Sequence, residues 1–243
     1  MTWVIFCLGA MIAGFVQGLT GFAFALIAMS FWIWVLPAQV AAPLLVFASL
    51  WSHCIALSKE QKHTLPFSLA KPYILAGLIG VPLGTALLHY IHQDIFKIIL
   101  GIFLILWCPT LYFAPELPRL KKMGKIADSI IGFLGGVLGG LGGFCGALPS
   151  AWVMLKQLPK EQQRYVLRHF NFAIQLFTLL IYIWHGTINS SHFPYILVLI
   201  ITVSIPAILG ARLFYKISEI QFKRIVLGLL FASGVFLSLS TLF

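Results

Sequence analysis

The stretch Gly132–Pro149, GFLGGVLGGLGGFCGALP, places repeated glycines among large apolar side chains. Each glycine in a helix interior costs about 1 kcal/mol relative to alanine, so an ordinary membrane-spanning helix has no use for so many. A weaker copy, GFVQGLTGFAFAL, occupies Gly14–Leu26 near the N-terminus. We interpret each stretch as the turn of a broken helix. We expect the two turns to face each other across a binding site.

The composition indicates an integral membrane protein. The chain is 60% hydrophobic and 9% charged, whereas soluble domains average about 25% charged residues. The net charge of +10 lies mostly in loops, which is typical of the cytoplasmic flanks of membrane helices and not of nucleic-acid binding. The four cysteines lack a metal-ligand spacing. We therefore predict a single, multi-pass domain over residues 1–243 in the cell (inner) membrane, with no cofactor, no metal and no nucleic-acid partner.

The two halves of the chain resemble each other. FKIILG at Phe96–Gly101 matches FKRIVLG at Phe222–Gly228. The glycine stretches also match, because Gly18 and Gly21 fall on Gly139 and Gly142 at an offset of 121 residues (139 − 18 = 142 − 21). Duplicated halves are common among transporters. We predict internal repeats at residues 1–113 and 126–243, joined by a basic cytoplasmic loop at 114–125.

Charge predicts how the two repeats are oriented. Lys/Arg-rich loops face the cytoplasm, and four connections qualify: Lys59–Lys71, Arg119–Lys125, Lys156–Arg168 and Arg212–Arg224. If every apolar segment crossed once, the first two loops and the last two would lie on opposite sides. The conflict disappears if Ile126–Leu155 enters and leaves on the cytoplasmic side. By the repeat argument Trp3–Leu36 does the same from outside, which puts both termini outside.

The expected fold is therefore an all-α polytopic membrane protein. It has two inverted-topology repeats, each a re-entrant, broken-helix hairpin followed by three spanning helices. Such repeats place substrate at the bilayer midplane, between half-helices whose N-termini attract anions. The alternative is that the glycines only pack helices closely.

Polar side chains within the apolar segments indicate the same site. Asn171 and Gln175 are one helical turn apart, as are Ser49 and His53, and an offset of 122 superposes the two pairs (171 − 49 = 175 − 53). The alternative is hydrogen bonding between helices, and His53 is either a proton-linked switch or a helix-end histidine. We expect Arg168 to snorkel towards the interface. The candidate substrate-binding residues are Gln17, Gly18, Thr20, Gly21, Ser49, His53, Gly139, Gly142, Gly143, Cys145, Asn171 and Gln175.

The sequence also argues against two other classes. It contains no G-x-x-x-x-G-K-[ST] phosphate loop, so we expect no nucleotide hydrolysis. Its 6 acidic residues lie in or near expected loops, and Asp128 is the nearest to a membrane segment. A carboxylate relay or catalytic carboxylate pair is therefore not expected, and we predict no catalytic residues and no enzyme.

GFVQGLTGFAFAL, GGLGGFCGALP and LPKEQQR together resemble the sulfite exporter TauE/SafE family over nearly the whole chain. Ala23 stands where family members often have glycine. The resemblance implies a secondary transporter, an exporter or permease, for sulfite, an organosulfonate or a related small anion. We expect it to work by alternating access with H⁺ or Na⁺ as a possible coupling ion. An anion channel and a non-transporting membrane scaffold are the alternatives, and the sequence does not predict the oligomeric state.

Overall fold

The computed structural model describes residues 2–32, 34–58, 65–87, 98, 101–102, 105–106, 108–109 and 124–239. Within these ranges the chain is helical and contains no strand. The helices are α1 (Thr2–Thr20), α2 (Phe24–Trp32), α3 (Ala38–Ser58), α4 (Lys71–Leu87), α5 (Lys125–Gly140), α6 (Ala147–Leu155), α7 (Lys160–Trp184), α8 (Phe193–Phe214) and α9 (Glu219–Leu239), with 3₁₀ turns at Phe67–Leu69 and Ser190–His192.

Among the residues that the structure describes, four helices are long and apolar enough to cross a bilayer, namely α1, the Val40–Ser58 part of α3, α7 and α8, and α4 is a shorter apolar helix. The helical content and these apolar helices confirm the prediction of an all-α polytopic membrane protein. The span expected at Ile95–Phe113 and the loop at 114–123 lie largely outside the described residues.

Both glycine stretches interrupt a helix where the sequence predicts a turn. The first turn, Gly21–Ala23, separates α1 from α2, and the second, Leu141–Gly146, separates α5 from α6. Left-handed backbone makes each turn: φ is +82° at Gly21 and +61° at Ala23, and +154° and +82° at Gly142 and Gly143. α1 continues unbroken through Gly14 and Gly18, so within the stretch Gly14–Leu26 the helix breaks at Gly21–Ala23, and α1 is itself long and apolar enough to count as a candidate span.

The two turns correspond at an offset of 122, not 121. Gly21 N–H donates to Gln17 O (2.7 Å), and Gly143 N–H donates to Gly139 O (2.8 Å). Gly21 and Gly143 also share the same φ of +82°. The match of Gly21 to Gly142 is thus corrected by one residue, and the turns now share the offset that superposes Ser49 on Asn171.

Glycine lets α1 approach α8 until their backbones touch. A Cβ added at Gly18 would lie 2.2 Å from Ala207 O, and one at Gly210 would lie 2.0 Å from Phe15 O. One turn earlier in α1, a Cβ added at Gly14 would meet Val203, which lies one turn before Ala207 in α8. The contacts advance in the same direction along both helices, so α1 and α8 are parallel.

α5 and α4 make the same contact in the other half of the chain. A Cβ at Gly140 would lie 2.5 Å from Val81 O, and one at Gly84 would lie 2.1 Å from Val137 O. In the hairpin arms, Gly140 matches Gly18 and Val137 matches Phe15 at an offset of 122 (140 − 18, 137 − 15). In the helices that they contact, Ala207 matches Val81 and Gly210 matches Gly84 at an offset of 126 (207 − 81, 210 − 84). One packing arrangement therefore occurs twice, and each time it joins a hairpin arm of one half to a helix of the other.

The first arms of the two hairpins run in opposite directions. α4 is parallel to α7, because Tyr73 packs on Phe170 and Gly77, one turn later, packs on Ile174 and Phe170. α8 is antiparallel to α7, because the end of α8 stacks on Arg164 at the start of α7. α5 runs parallel to α4, and α1 runs parallel to α8. α1 and α5 are therefore antiparallel, and their C-terminal ends meet in the interior.

Each hairpin is closed at its open end by a tryptophan. In the first, Trp32 Nε1 donates to Phe6 O (3.0 Å) and the two rings stack. In the second, Trp152 Nε1 donates to Asp128 Oδ1 (2.8 Å), and Lys156 Nζ lies 2.8 Å from both carboxylate oxygens. Asp128 lies in the first turn of α5, next to the expected loop, and it is buried there and holds α5 against the end of α6.

Candidate functional site

A cavity lies where the two turns meet. It is small: the centre of a water molecule has about 10 Å³ in which to move, within about 230 Å³ of non-atom space that includes open solvent. Its walls are the first turn with the start of α2, the second turn with the start of α6, and one face of α7. The lining residues are Gln17, Phe22, Ala23, Phe24, Ala25, Leu26, Gly143, Phe144, Cys145, Gly146, Ala147, Asn171 and Gln175.

The cavity wall is apolar and uncharged, with three amide side chains. None of the lining residues carries a formal charge. The starts of α2 and α6 both face the cavity, and helix N-termini carry partial positive charge from unpaired N–H groups. The ends of α1 and α5, at Thr20 and Gly140, are not part of the wall. The two helix starts therefore contribute partial positive charge to the wall.

Gln17 and Ser49 bind each other. Gln17 Nε2 donates to Ser49 O (2.6 Å), and Gln17 Oε1 accepts from Ser49 Oγ (2.8 Å) and from Phe24 N–H (3.2 Å). Both residues are buried. Gln17 lines the cavity, but this set of bonds also fixes the start of α2 against α3.

Asn171 and Gln175 of α7 face the cavity with unused oxygen atoms. Asn171 Nδ2 donates to Gly21 O (3.2 Å), which ties α7 to the first turn. Gln175 Nε2 lies 3.6 Å from Cys145 Sγ in the second turn. Asn171 Oδ1 and Gln175 Oε1 are buried and have no hydrogen-bond partner among the described residues. α7 therefore contacts both turns and presents two free acceptors between them.

Five of the twelve predicted site residues line the cavity: Gln17, Gly143, Cys145, Asn171 and Gln175. The other glycines build the surrounding structure. Gly18 packs on Ala207 O, Gly139 on Ile174, and Gly21 and Gly142 supply turn conformations. Thr20 Oγ1 donates to Val16 O (2.8 Å) at the end of α1.

His53 is buried and lies outside the cavity wall. Neither ring nitrogen has a hydrogen-bond partner in the described part of the chain. It lies five residues before the end of α3, and its side chain is shielded from solvent.

Two buried arginines beneath the first turn were not predicted as site residues. Arg168 is 1% exposed and donates from Nη1 to Ala56 O (3.5 Å). Arg164 is 3% exposed and donates from Nη2 to Gly18 O (2.7 Å). The expectation that Arg168 snorkels is wrong, because both side chains turn inward onto α3 and the end of α1. A spacing of four residues on one helix face was the signal available in the sequence.

The left-handed Ala23 can be tested by substitution. A non-glycine residue at φ +61° is strained, so Ala23→Gly should leave the protein equally stable or raise the free energy of unfolding by up to about 1 kcal/mol. Ala25→Gly, two residues later within α2, should lower it by about 0.5–1 kcal/mol. Thermal unfolding of both variants in detergent measures the difference. A larger loss for Ala23→Gly than for Ala25→Gly would contradict the strain.

A family model for the sulfite exporter TauE/SafE proteins matches residues 6–237. No curated protein and no solved structure matches the chain. The family description implies membrane export of sulfite or a related sulfur compound, in agreement with the apolar helices. Because the match covers almost all of its 243 residues, the chain belongs to the sulfite exporter TauE/SafE family.

Proposed function

We propose that the protein is a secondary transporter that carries a small sulfur-containing anion, such as sulfite or an organosulfonate, and holds it in the cavity between the two turns. The observation that carries the proposal is that turns from the two halves of the chain line one cavity that contains no charged side chain. Weak binding by helix N-termini suits a transporter, which has to release its substrate as well as bind it.

The topology that we propose is inverted, with both hairpins re-entrant and both termini outside. Three features support it: the antiparallel first arms, the meeting of the two turns in the interior, and the repeated glycine contacts at offsets of 122 and 126. Irregular backbone at membrane depth is tolerated where it lines a protein cavity, and both turns do so.

For alternating access we propose moving units that each combine parts of both repeats. α1 interlocks with α8 and α5 with α4 through contacts between glycines and carbonyl groups. Separating these pairs would lose their closest packing, so each pair moves as a unit. α3 and α7, with the two turns, form the boundary between the units. Movement there opens the cavity first to one side and then to the other.

Flux of radiolabelled sulfite or 2-hydroxyethanesulfonate into proteoliposomes tests the proposal. Uptake should exceed that of protein-free liposomes and should respond to an imposed H⁺ or Na⁺ gradient. Unitary currents in a planar bilayer would indicate a channel instead, and absence of flux for any small anion would refute the proposed function.

A matched pair of variants tests whether the substrate binds in the cavity. Ala25 lines the cavity wall and lies opposite Gly143, where an added Cβ would be 3.6 Å from Ala25 Cβ. Ala25→Leu should fill this space and reduce flux at least about tenfold, since an occluded site cannot bind. Ala232→Leu adds the same bulk on an exposed face of α9 and should leave flux within about twofold of wild type. Equal flux in the two variants would place the substrate elsewhere.

A further inference from the structure

The orientation of the Asn171 amide follows from its bond to the first turn. Gly21 O can only accept a hydrogen bond, so the Asn171 group that faces it at 3.2 Å has to be the NH₂. The opposite assignment would set two oxygens against each other. The atom left over is therefore Oδ1, an acceptor, on a side chain that is 1% exposed and lines the cavity.

Gln175 places a second amide at the same wall, one turn further along α7. Its Nε2 lies 3.6 Å from Cys145 Sγ and its Oε1 has no partner among the described residues. A buried acceptor without a donor costs about 1–3 kcal/mol, so two adjacent ones point to a ligand that supplies the donors.

A bare cation would satisfy amide oxygens, but the rest of the wall disfavours one. α2 and α6 both start at the cavity with residues from Phe24 and Ala147, and their N-terminal ends carry partial positive charge. The occupant that suits both features is an anion that also carries an O–H or N–H group. Its anionic oxygens face the helix starts, and its donor faces α7.

We propose that the site selects anions bearing a hydrogen-bond donor, namely the monoprotonated form of sulfite or a small sulfonate with a hydroxyl group, and that Asn171 Oδ1 accepts from this donor. The proposal rests on the proposed function, and it assigns Asn171 as a residue that determines specificity. Anions of equal charge and size that lack a donor leave Oδ1 unpaired and bind more weakly.

Calorimetric titration of the full chain in detergent tests this with two isosteric monoanions, 2-hydroxyethanesulfonate and propane-1-sulfonate. They differ in that a hydroxyl group replaces a terminal methyl group. The hydroxylated anion should bind at least about tenfold more tightly, the effect of one buried acceptor left unpaired.

Variants at position 171 separate recognition from a merely structural role. In Asn171→Leu the preference for the hydroxylated anion should fall to within about twofold, because the acceptor is gone. Asn171→Ala, which also removes the acceptor and adds no bulk, should lose the preference in the same way, and it serves if the leucine variant does not fold. Asn189→Leu, outside the cavity, should keep the wild-type preference.

The possible outcomes separate this inference from the proposed function. If both sulfonates bind equally to the wild-type protein, the donor requirement is wrong and anion binding still stands. If neither these nor sulfite binds, the proposed function fails as well. Parallel weakening of both anions in Asn171→Leu, with the preference intact, would assign Asn171 a structural role. Binding that needs Na⁺ in place of choline and shows no preference would assign the amide oxygens to a cation.

Discussion

Replacing Gly210 by alanine should destabilise the protein by about 3 kcal/mol or more, at the upper end of what overpacking costs. The added Cβ would lie 2.0 Å from Phe15 O and 2.9 Å from Leu19 N, both backbone atoms of α1. Backbone cannot rotate away as a flexible side chain can, so α1 and α8 have to separate. Their separation also disturbs the contact between Gly18 of α1 and the Ala207 carbonyl of α8. It thereby displaces the first turn from the cavity.

Gly228→Ala provides the matched control. Gly228 also lies within a helix, α9, and a Cβ there would meet no atom of the described residues within 4 Å. Alanine at an unhindered helical position should raise the free energy of unfolding by up to about 1 kcal/mol. Unfolding of the two variants by sodium dodecyl sulfate in mixed micelles measures the difference. A loss below about 1 kcal/mol for Gly210→Ala would mean that α1 and α8 do not pack in contact.

The sequence predicted where the helices break but not the register of the repeat. Glycine spacing locates both turns, because only glycine enters left-handed backbone freely. The second stretch contains glycine at 139, 140, 142 and 143, so the Gly18–Gly21 spacing fits two offsets equally well. Only the conformation of Gly143 and its bond to Gly139 O distinguish them.

The candidate site was predicted in part. Polar residues spaced one turn apart on α7 drew attention to Asn171 and Gln175, and both line the cavity. The sequence could not show that Gln17 and Ser49 use their polar groups on each other, because that depends on how α1 meets α3. Nor could it show the burial of Arg168, since a basic residue near a helix start usually reaches the interface.

Removing the Asp128 carboxylate should open the second hairpin. Asp128 Oδ1 accepts from Tyr73 Oη of α4 (2.5 Å) and from Trp152 Nε1 of α6 (2.8 Å), and Lys156 pairs with both oxygens. The Lys156 and Asp128 side chains are 15% and 10% exposed, so solvent screens the pair only in part. Asp128→Ala leaves Lys156 and two further donors without their acceptor. We expect it to lower the free energy of unfolding by about 2–4 kcal/mol.

Two further variants show whether the ionic network is responsible for this loss. Glu161→Gln removes an exposed carboxylate 3.9 Å from Lys160 and should change stability by less than about 0.5 kcal/mol. Asp128→Leu combined with Lys156→Met removes both charges and should recover part of the loss, because no buried charge is then left unpaired. If the double variant is as unstable as Asp128→Ala, the loss comes from the Tyr73 and Trp152 hydrogen bonds. If Asp128→Ala is as stable as Glu161→Gln, α5 and α6 are held together by apolar packing. The stability of the hairpin that carries the second turn then does not depend on the Asp128 contacts at its open end.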